Sequence, residues 1–296
     1  MDDTSIRIYK GSYIMNEKEK DRDRDRDKAV KCFVFDLDET LGSFTDLDVI
    51  WRGLIQLKSE HKNFAFQETQ ETFNQLLGIY PEFLRYGIIT MFEFLYHKKQ
   101  MNKCHNIYIY TNNQCSPSWP IMISKYIETV GKCKNLFKMI IRAFKIHGTI
   151  VEENRTTHSK TPQDLFRCTL LPKTSEICFI DDSYFPKMKH KRIFYIQPKP
   201  YYHSLNLREI MDRLIKSNLG QGMNIEPFEH ILHDWCIASG CSLHAMIKTM
   251  EEKQVDIMVS QKIMYFLKDF FYMGIRNNKT RKNRRMIWQN TSKKVR

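Results

Sequence analysis

Asp36, Asp38 and Thr40 follow one another at alternate positions directly after the apolar run at 32–35. In an extended chain alternate side chains point the same way, so the two carboxylates face one point while Leu37 packs inward. Like charges that close repel and raise the pKa of one member. A hard cation removes the penalty, and Mg²⁺ prefers oxygen ligands while keeping several waters. Two further groups of the same kind stand at the ends of apolar runs: Thr111, Asn112 and Asn113 after 106–110, and Asp181, Asp182 and Ser183 after 176–180. Brought together, such groups can hold a divalent ion beside an anionic ligand and leave one carboxylate to act as nucleophile or proton carrier.

The elements that must position them are short and strongly apolar. The runs at 30–35, 106–110, 176–180 and 192–197 are rich in β-branched and aromatic residues and apolar on consecutive positions. Consecutive apolarity means that both faces are covered, as in parallel strands sandwiched between helices. A further strand is expected around 139–144. Between the runs lie helix-length segments with apolar spacings of three and four, such as Phe83, Ile88, Met91, Phe94 and Leu95. Strand–helix–strand repetition predicts an α/β fold with a doubly wound parallel sheet, in which ligands bind at the carboxyl ends of the strands.

The segments FDLDETL, IYIYTNN and ICFIDDS, with Lys160 in HSKTPQDL between the last two, resemble in order the motifs of the haloacid dehalogenase (HAD) superfamily phosphatases. The wording DLDETL, the segment FLRYGIITMFEFL and the acidic pair followed by Ser are similar to the subfamily that dephosphorylates the RNA polymerase II C-terminal domain and related phosphoproteins. The resemblance covers about residues 30 to 200. It implies a HAD-like Rossmannoid fold and a Mg²⁺-dependent phosphatase that works through an aspartyl-phosphate. Asp36 would be the nucleophile and Asp38 the general acid and base. Asp36, Asp38 (through its carbonyl) and Asp181 would hold the metal. Thr111, Asn112 and Lys160 would bind phosphate, with Lys145 and Lys173 as rivals for the lysine, and Thr40, Asp182 and Ser183 would support the site. The implied substrate is a phosphoprotein carrying phospho-Ser/Thr. Small-molecule or nucleic-acid-end phosphates, and a non-enzymatic nucleic-acid-binding protein on the same scaffold, stand as alternatives. The chain departs from the subfamily at Tyr86, inside an Arg-Pro-Gly motif, and at Tyr184, where Pro is common.

Around that domain, residues 1–29 read as a charged, disordered lead-in, because EKEKDRDRDRDK has no apolar position. The phosphatase-like domain is expected at 30–219, with a helical insert at about 42–80 in the place where this superfamily carries substrate-selecting caps. A helical extension follows at 220–275 and a basic tail at 276–296. The formal net charge is +13, but nine Lys/Arg and no acid lie in 276–296, leaving +4 for the rest. Such a tail either docks on nucleic acid or an acidic partner, with Trp288 as an anchor, or simply stays solvated. Eight cysteines at irregular spacings read as buried thiols, and HDWCIASGCSLH reads as two helices meeting rather than as a zinc site. No apolar run approaches the ~18 residues that span a bilayer, and the first residues lack a signal-peptide core, so an intracellular protein with no membrane partner is expected.

Overall fold

The computed structural model describes residues 5–15, 30–239 and 248–292. The strands are β1 (Ile6–Lys10), β2 (Lys31–Phe35), β3 (Asn106–Tyr110), β4 (Phe137–Ile141), β5 (Lys145–Ile146), β6 (Thr149–Ile150), β7 (Glu176–Ile180) and β8 (Ile193–Pro198). All but the β5–β6 hairpin form one mixed sheet in the order β1-β8-β7-β2-β3-β4. Its five inner and distal strands run parallel, and β1 pairs antiparallel to β8 at one edge. The fold is thus α/β with a mostly parallel central sheet, as the consecutive apolar runs predict.

Alternate residues divide the core in two. Phe33, Phe35, Ile107, Ile109, Ile180 and Phe194 face one side, while Val34, Tyr108, Tyr110, Phe179 and Tyr195 face the other. The first side is covered by α4 (Ile88–Gln100), α5 (Trp119–Val130) and α9 (Met250–Ser292). Ring contacts record the packing: Phe35 meets Phe92 at 4.9 Å, and Phe33 meets Phe270 at 5.4 Å. The second side is covered by α6 (Pro162–Thr169), through Leu165 and Cys168. Thr161 caps α6 by accepting from the Asp164 backbone N–H at 3.1 Å, and Pro162 occupies the first helical position. That stop-and-start fixes where the preceding residue, Lys160, can go.

The insert is helical, with α2 (Thr45–Glu60) and α3 (Gln70–Ile79). Leu47, Ile50, Trp51, Leu54 and Leu57 bury one side of α2. It packs on α8 (Ile225–Ser239) so closely that a Cβ on Gly53 would lie 2.8 Å from Leu232 and 3.2 Å from Phe228. The C-terminal helices are therefore part of the core, since α8 closes over the insert and α9 over the sheet. Two shorter helices, α1 (Ser12–Met15) and α7 (Leu207–Ile215), complete the described set.

Two expectations need correction. The segment 1–29 is not all lead-in: Ile6–Lys10 is a strand, its Ile6 buried and its Arg7 exposed, paired from Ile6↔Pro198 to Lys10↔Phe194. Residues 276–292, read as a basic tail, continue α9. The expected disorder of 16–29 and the final residues 293–296 lie outside the described residues, as do Cys241 and His244. The seven described cysteines are free thiols, and Cys236 is buried in α8. No described helix is long and apolar enough to cross a membrane.

Candidate active site

The ladder register sets the geometry. Phe35 pairs with Ile109 on one side and Ile180 on the other, so β2 and β7 end level, β3 runs one residue further, and Asp36, Thr111 and Asp181 are released at one rim. The Asp36 backbone N–H donates to Ile180 O at 2.9 Å and that of Asp181 to Ile196 O at 3.1 Å, so both residues remain locked to the sheet.

Carboxylate oxygens of Asp36, Asp181 and Asp182 all lie within 4.8 Å of one another. Lys160, 1% exposed, enters this group and donates to Asp36 Oδ1 and, at 2.6 Å, to Asp181 Oδ2. Neither rival lysine does: Lys145 lies on the β5–β6 hairpin over the Phe144 ring, and Lys173 lies beyond α6 before β7. Burial opposes the ammonium, but Asp181 and Asp36 outweigh it and hold Lys160 above the ordinary lysine value. One ammonium cannot balance three acids. Burial therefore pushes the Asp181 carboxyl well above the usual carboxylate range, against Lys160 and with help from Asp36. Asp182 is raised by burial and by Asp36. A set of hard oxygen donors in which burial and neighbouring acids push two carboxyls up, with one ammonium among them, fits a divalent cation.

Asp38 is placed differently. Its side chain is outside the three-carboxylate group and accepts from Asn113 Nδ2 at 3.0 and 3.2 Å. Burial, then the Asp36 charge, raise it to about 6. A carboxyl near 6 can give up and recover a proton close to neutrality. Its carbonyl accepts from the Thr40 N–H at 2.6 Å. Glu39 between them takes left-handed backbone angles, φ 54°, which are costly for a residue with a Cβ. Buried Arg85 secures that turn by donating to Glu39 O, to Thr40 O at 2.6 Å and to Lys199 O at 3.0 Å. Tyr201 N–H adds a bond to Glu39 O at 2.8 Å.

The remaining residues support this frame. Thr40 Oγ1 donates to Asp182 Oδ1 at 2.8 Å and accepts from the Asp182 N–H at 3.0 Å, tying the β2 and β7 ends together. Ser183 N–H donates to Asp181 Oδ1 at 2.9 Å. Thr111 Oγ1 accepts from the Asn113 N–H at 2.9 Å. The carboxamide oxygen of Asn112 is turned to Arg155 Nη2, at 2.8 Å.

Arg155 escaped sequence reading. It is 2% exposed and also donates to Thr111 O at 3.0 Å, Arg142 O at 2.7 Å and His158 O at 3.0 Å, with the Tyr110 ring 4.8 Å away. It joins the β3 end, the β4 end and the loop that carries Lys160. The only signal in the sequence is an arginine between two motifs, where a surface residue is the ordinary expectation.

No protein-family model and no curated protein matches the chain. Among solved structures, a HAD-superfamily hydrolase of subfamily IA, variant 1, from Geobacter sulfurreducens is similar at 12% identity and a TM-score of 0.30, over 53% of this chain and 82% of that one. A TM-score that low carries no weight for either fold or activity, and the site rests on its own geometry.

Proposed function

We propose that the protein is a HAD-type phosphatase that hydrolyses phosphomonoesters of a phosphoprotein through a phosphorylated Asp36. The observation that carries this reading is the buried Lys160, bonded to both Asp36 and Asp181 at the level ends of β2 and β7.

A carboxylate attacks a dianionic phosphate only if the negative charge of both is offset. Lys160 supplies one positive charge beside the Asp36 oxygen, and the buried Thr111 offers a hydroxyl on the adjacent strand end. Asp36, Asp181 and the Asp38 carbonyl, with Asp182 close by, would hold Mg²⁺. When bound, the ion would neutralise phosphoryl charge and orient the group for in-line attack. Asp36 forms a bond to phosphorus as the ester oxygen leaves, and Asp38 gives that oxygen its proton. Asp38, now ionised, takes a proton from the water that attacks the acyl phosphate, which restores Asp36 and releases inorganic phosphate. Near 6, Asp38 suits both directions of transfer.

The protein-substrate assignment draws on the sequence resemblance and on the insert. Helices α2 and α3 bury their apolar sides in the body of the molecule, which supports a rim that admits a loop of another protein.

The test is Asp36→Asn, assayed on p-nitrophenyl phosphate and phosphopeptides with Mg²⁺ or EDTA. Wild type should turn over both substrates only with the metal and give an acid-stable, base-labile phosphoenzyme. The variant should do neither while keeping its circular dichroism spectrum. Turnover retained by the variant refutes the assignment.

A further inference from the structure

Two adjoining clefts on the α6 side of the sheet are lined by cations and, among the described residues, by no acid. The larger, 840 Å³, lies between α6 and the segment that leads into β8, with Arg167, Lys173 and Lys191 set beside Phe166, Leu170 and Leu171. The smaller, 400 Å³, shares His190 and Lys191 with it and adds Lys10 and Lys189. Lys189 Nζ stands 4.8 Å from the Tyr9 ring, Tyr9 meets Tyr184 at 5.5 Å, and Tyr184 follows Asp182 by two residues. The cations thus form a track at the amino ends of β7 and β8, and the rings of Tyr9 and Tyr184 continue it to the catalytic rim.

Some of these charges have structural duties. Arg167 lies 3.8 Å from buried Asp164, and Arg192 donates to Thr174 O at 2.9 Å. Lys173, Lys189 and Lys191 are exposed and have no carboxylate partner among the described residues. Their field is felt locally: burial, then Lys191 and Arg192, hold the His190 imidazole below its ordinary value. Beside them Leu170 is 87% exposed and carries φ 53°, a left-handed conformation at the end of α6 where glycine is usual. An aliphatic side chain is thus held out at the mouth of a cationic cleft.

We propose that this track docks an acidic stretch of the substrate polypeptide, several residues away from its phosphorylated side chain. The inference rests on the phosphoprotein reading above. Charge complementarity selects an anion, and the aliphatic wall selects a peptide. Single-stranded nucleic acid stacks on exposed aromatic platforms, whereas the larger cleft, which holds Lys173 and Lys191, offers a half-buried Phe166 beside Leu170 and Leu171; the exposed Tyr184 lies outside it, towards the rim. The cleft opens at the amino end of β7 and the chemistry lies at its carboxyl end, so the two sites are about one five-residue strand apart, ~16 Å at ~3.3 Å per residue. An extended peptide needs at least about five residues to bridge that distance.

The full chain with Lys173→Glu/Lys191→Glu is compared with wild type on three probes: p-nitrophenyl phosphate, a phosphoserine peptide with a Glu cluster six to ten residues away, and the same peptide with Gln for Glu. Wild type should show a KM about tenfold lower for the acidic peptide, and the variant should lose that preference with its p-nitrophenyl phosphate turnover unchanged. A preference that survives charge reversal overturns the proposal. Fluorescence anisotropy of the unphosphorylated acidic peptide reads the track separately from the chemistry. Binding lost in the variant upholds an acidic-peptide track even if neither phosphopeptide is hydrolysed, an outcome in which only the phosphoprotein reading fails. A single-stranded oligonucleotide that displaces the peptide at lower concentration than unlabelled peptide does assigns the track to nucleic acid instead.

Discussion

Asn113, from the end of β3, donates its carboxamide to both carboxylate oxygens of Asp38 across the rim, at 3.0 and 3.2 Å. The bond fixes the carboxyl to which the proposed mechanism assigns protonation of the leaving group, and it also favours the ionised form, against burial and the Asp36 charge. Asn113→Ala should therefore raise the Asp38 pKa and loosen its aim. We expect kcat to fall about tenfold on an alkyl phosphate, a small share of the 10²–10⁴ that general acid catalysis supplies. The fall should be smaller on p-nitrophenyl phosphate, whose leaving group scarcely needs a proton. Equal losses on both substrates would show that Asn113 does not act through Asp38.

Arg155 makes a second prediction, because its planar fork reaches four acceptors on three segments. Lysine keeps the charge but cannot reproduce the fork. Arg155→Lys should cost about 3 kcal/mol in urea denaturation, the range for a buried charge that loses its partners. It should also raise KM for phosphoesters, since Thr111 and the Lys160 loop would drift. A variant with wild-type stability and KM would leave Arg155 without a positioning role.

The third prediction concerns the metal-free protein. Burial and the Asp36 charge put Asp38 at about 6, and burial with Asp38, Asp182 and Asp36 puts Glu39 at about 7. A carboxyl raised on folding binds its proton more tightly folded than unfolded. The resulting stabilisation is present at low pH and disappears as pH rises through the folded pKa, leaving ionised acids to repel one another. In EDTA, Tm should rise as pH is lowered from 8 to 6.5, and Glu39→Gln should flatten part of that rise. Half-buried His190 and His203, both held below their ordinary value, act in the opposite sense only near and below about 6.5. Saturating Mg²⁺ should add more to Tm at pH 8 than at pH 6.5, because it then offsets more charge. A metal-free Tm that stays level or falls across the window in scanning fluorimetry would contradict the charge excess.

Much of this site was legible because a buried parallel strand must be apolar on both faces, so KCFVF, NIYIY and EICFI announce themselves and the polar residues that end them stand out. Their convergence follows from parallel strands that end within one residue of one another. The edge strand IRIYK was not legible, since it covers one face only, pairs antiparallel and adjoins a charged segment. Lys160 was placed by resemblance alone: no periodicity marks it, and its position depends on the Thr161 cap and Pro162. Arg85 stands in the Arg-Pro-Gly position of the resemblance, but what it and Arg155 bind was invisible for a different reason. Their partners are backbone carbonyls from distant segments, and nothing in a sequence distinguishes an arginine that will be buried on carbonyls from one left in water. That α8 and α9 are helices could be read from apolar spacing. That they close the core required their partners in space.

That closure makes the last prediction. Phe270 of α9 stacks on Phe194 at 5.8 Å, meets the edge of Phe33 at 5.4 Å, and accepts at its carbonyl from Lys31 Nζ at 2.7 Å. Phe33 and Phe194 belong to β2 and β8, which frame the strand that carries Asp181. Phe270→Ala removes a fully buried ring and should cost about 3–5 kcal/mol, whereas Phe270→Leu, which keeps most of the volume, should cost about 1.5 kcal/mol or less. At a temperature where both variants remain folded, p-nitrophenyl phosphate kinetics should stay near wild type. Asp36 is held by its backbone bond to Ile180 and by Lys160, and neither bond involves a residue of α9. Stability loss with intact kinetics would mark α9 as a core element. A drop in kcat with little loss of stability would mean instead that the helix sets the position of the strand ends.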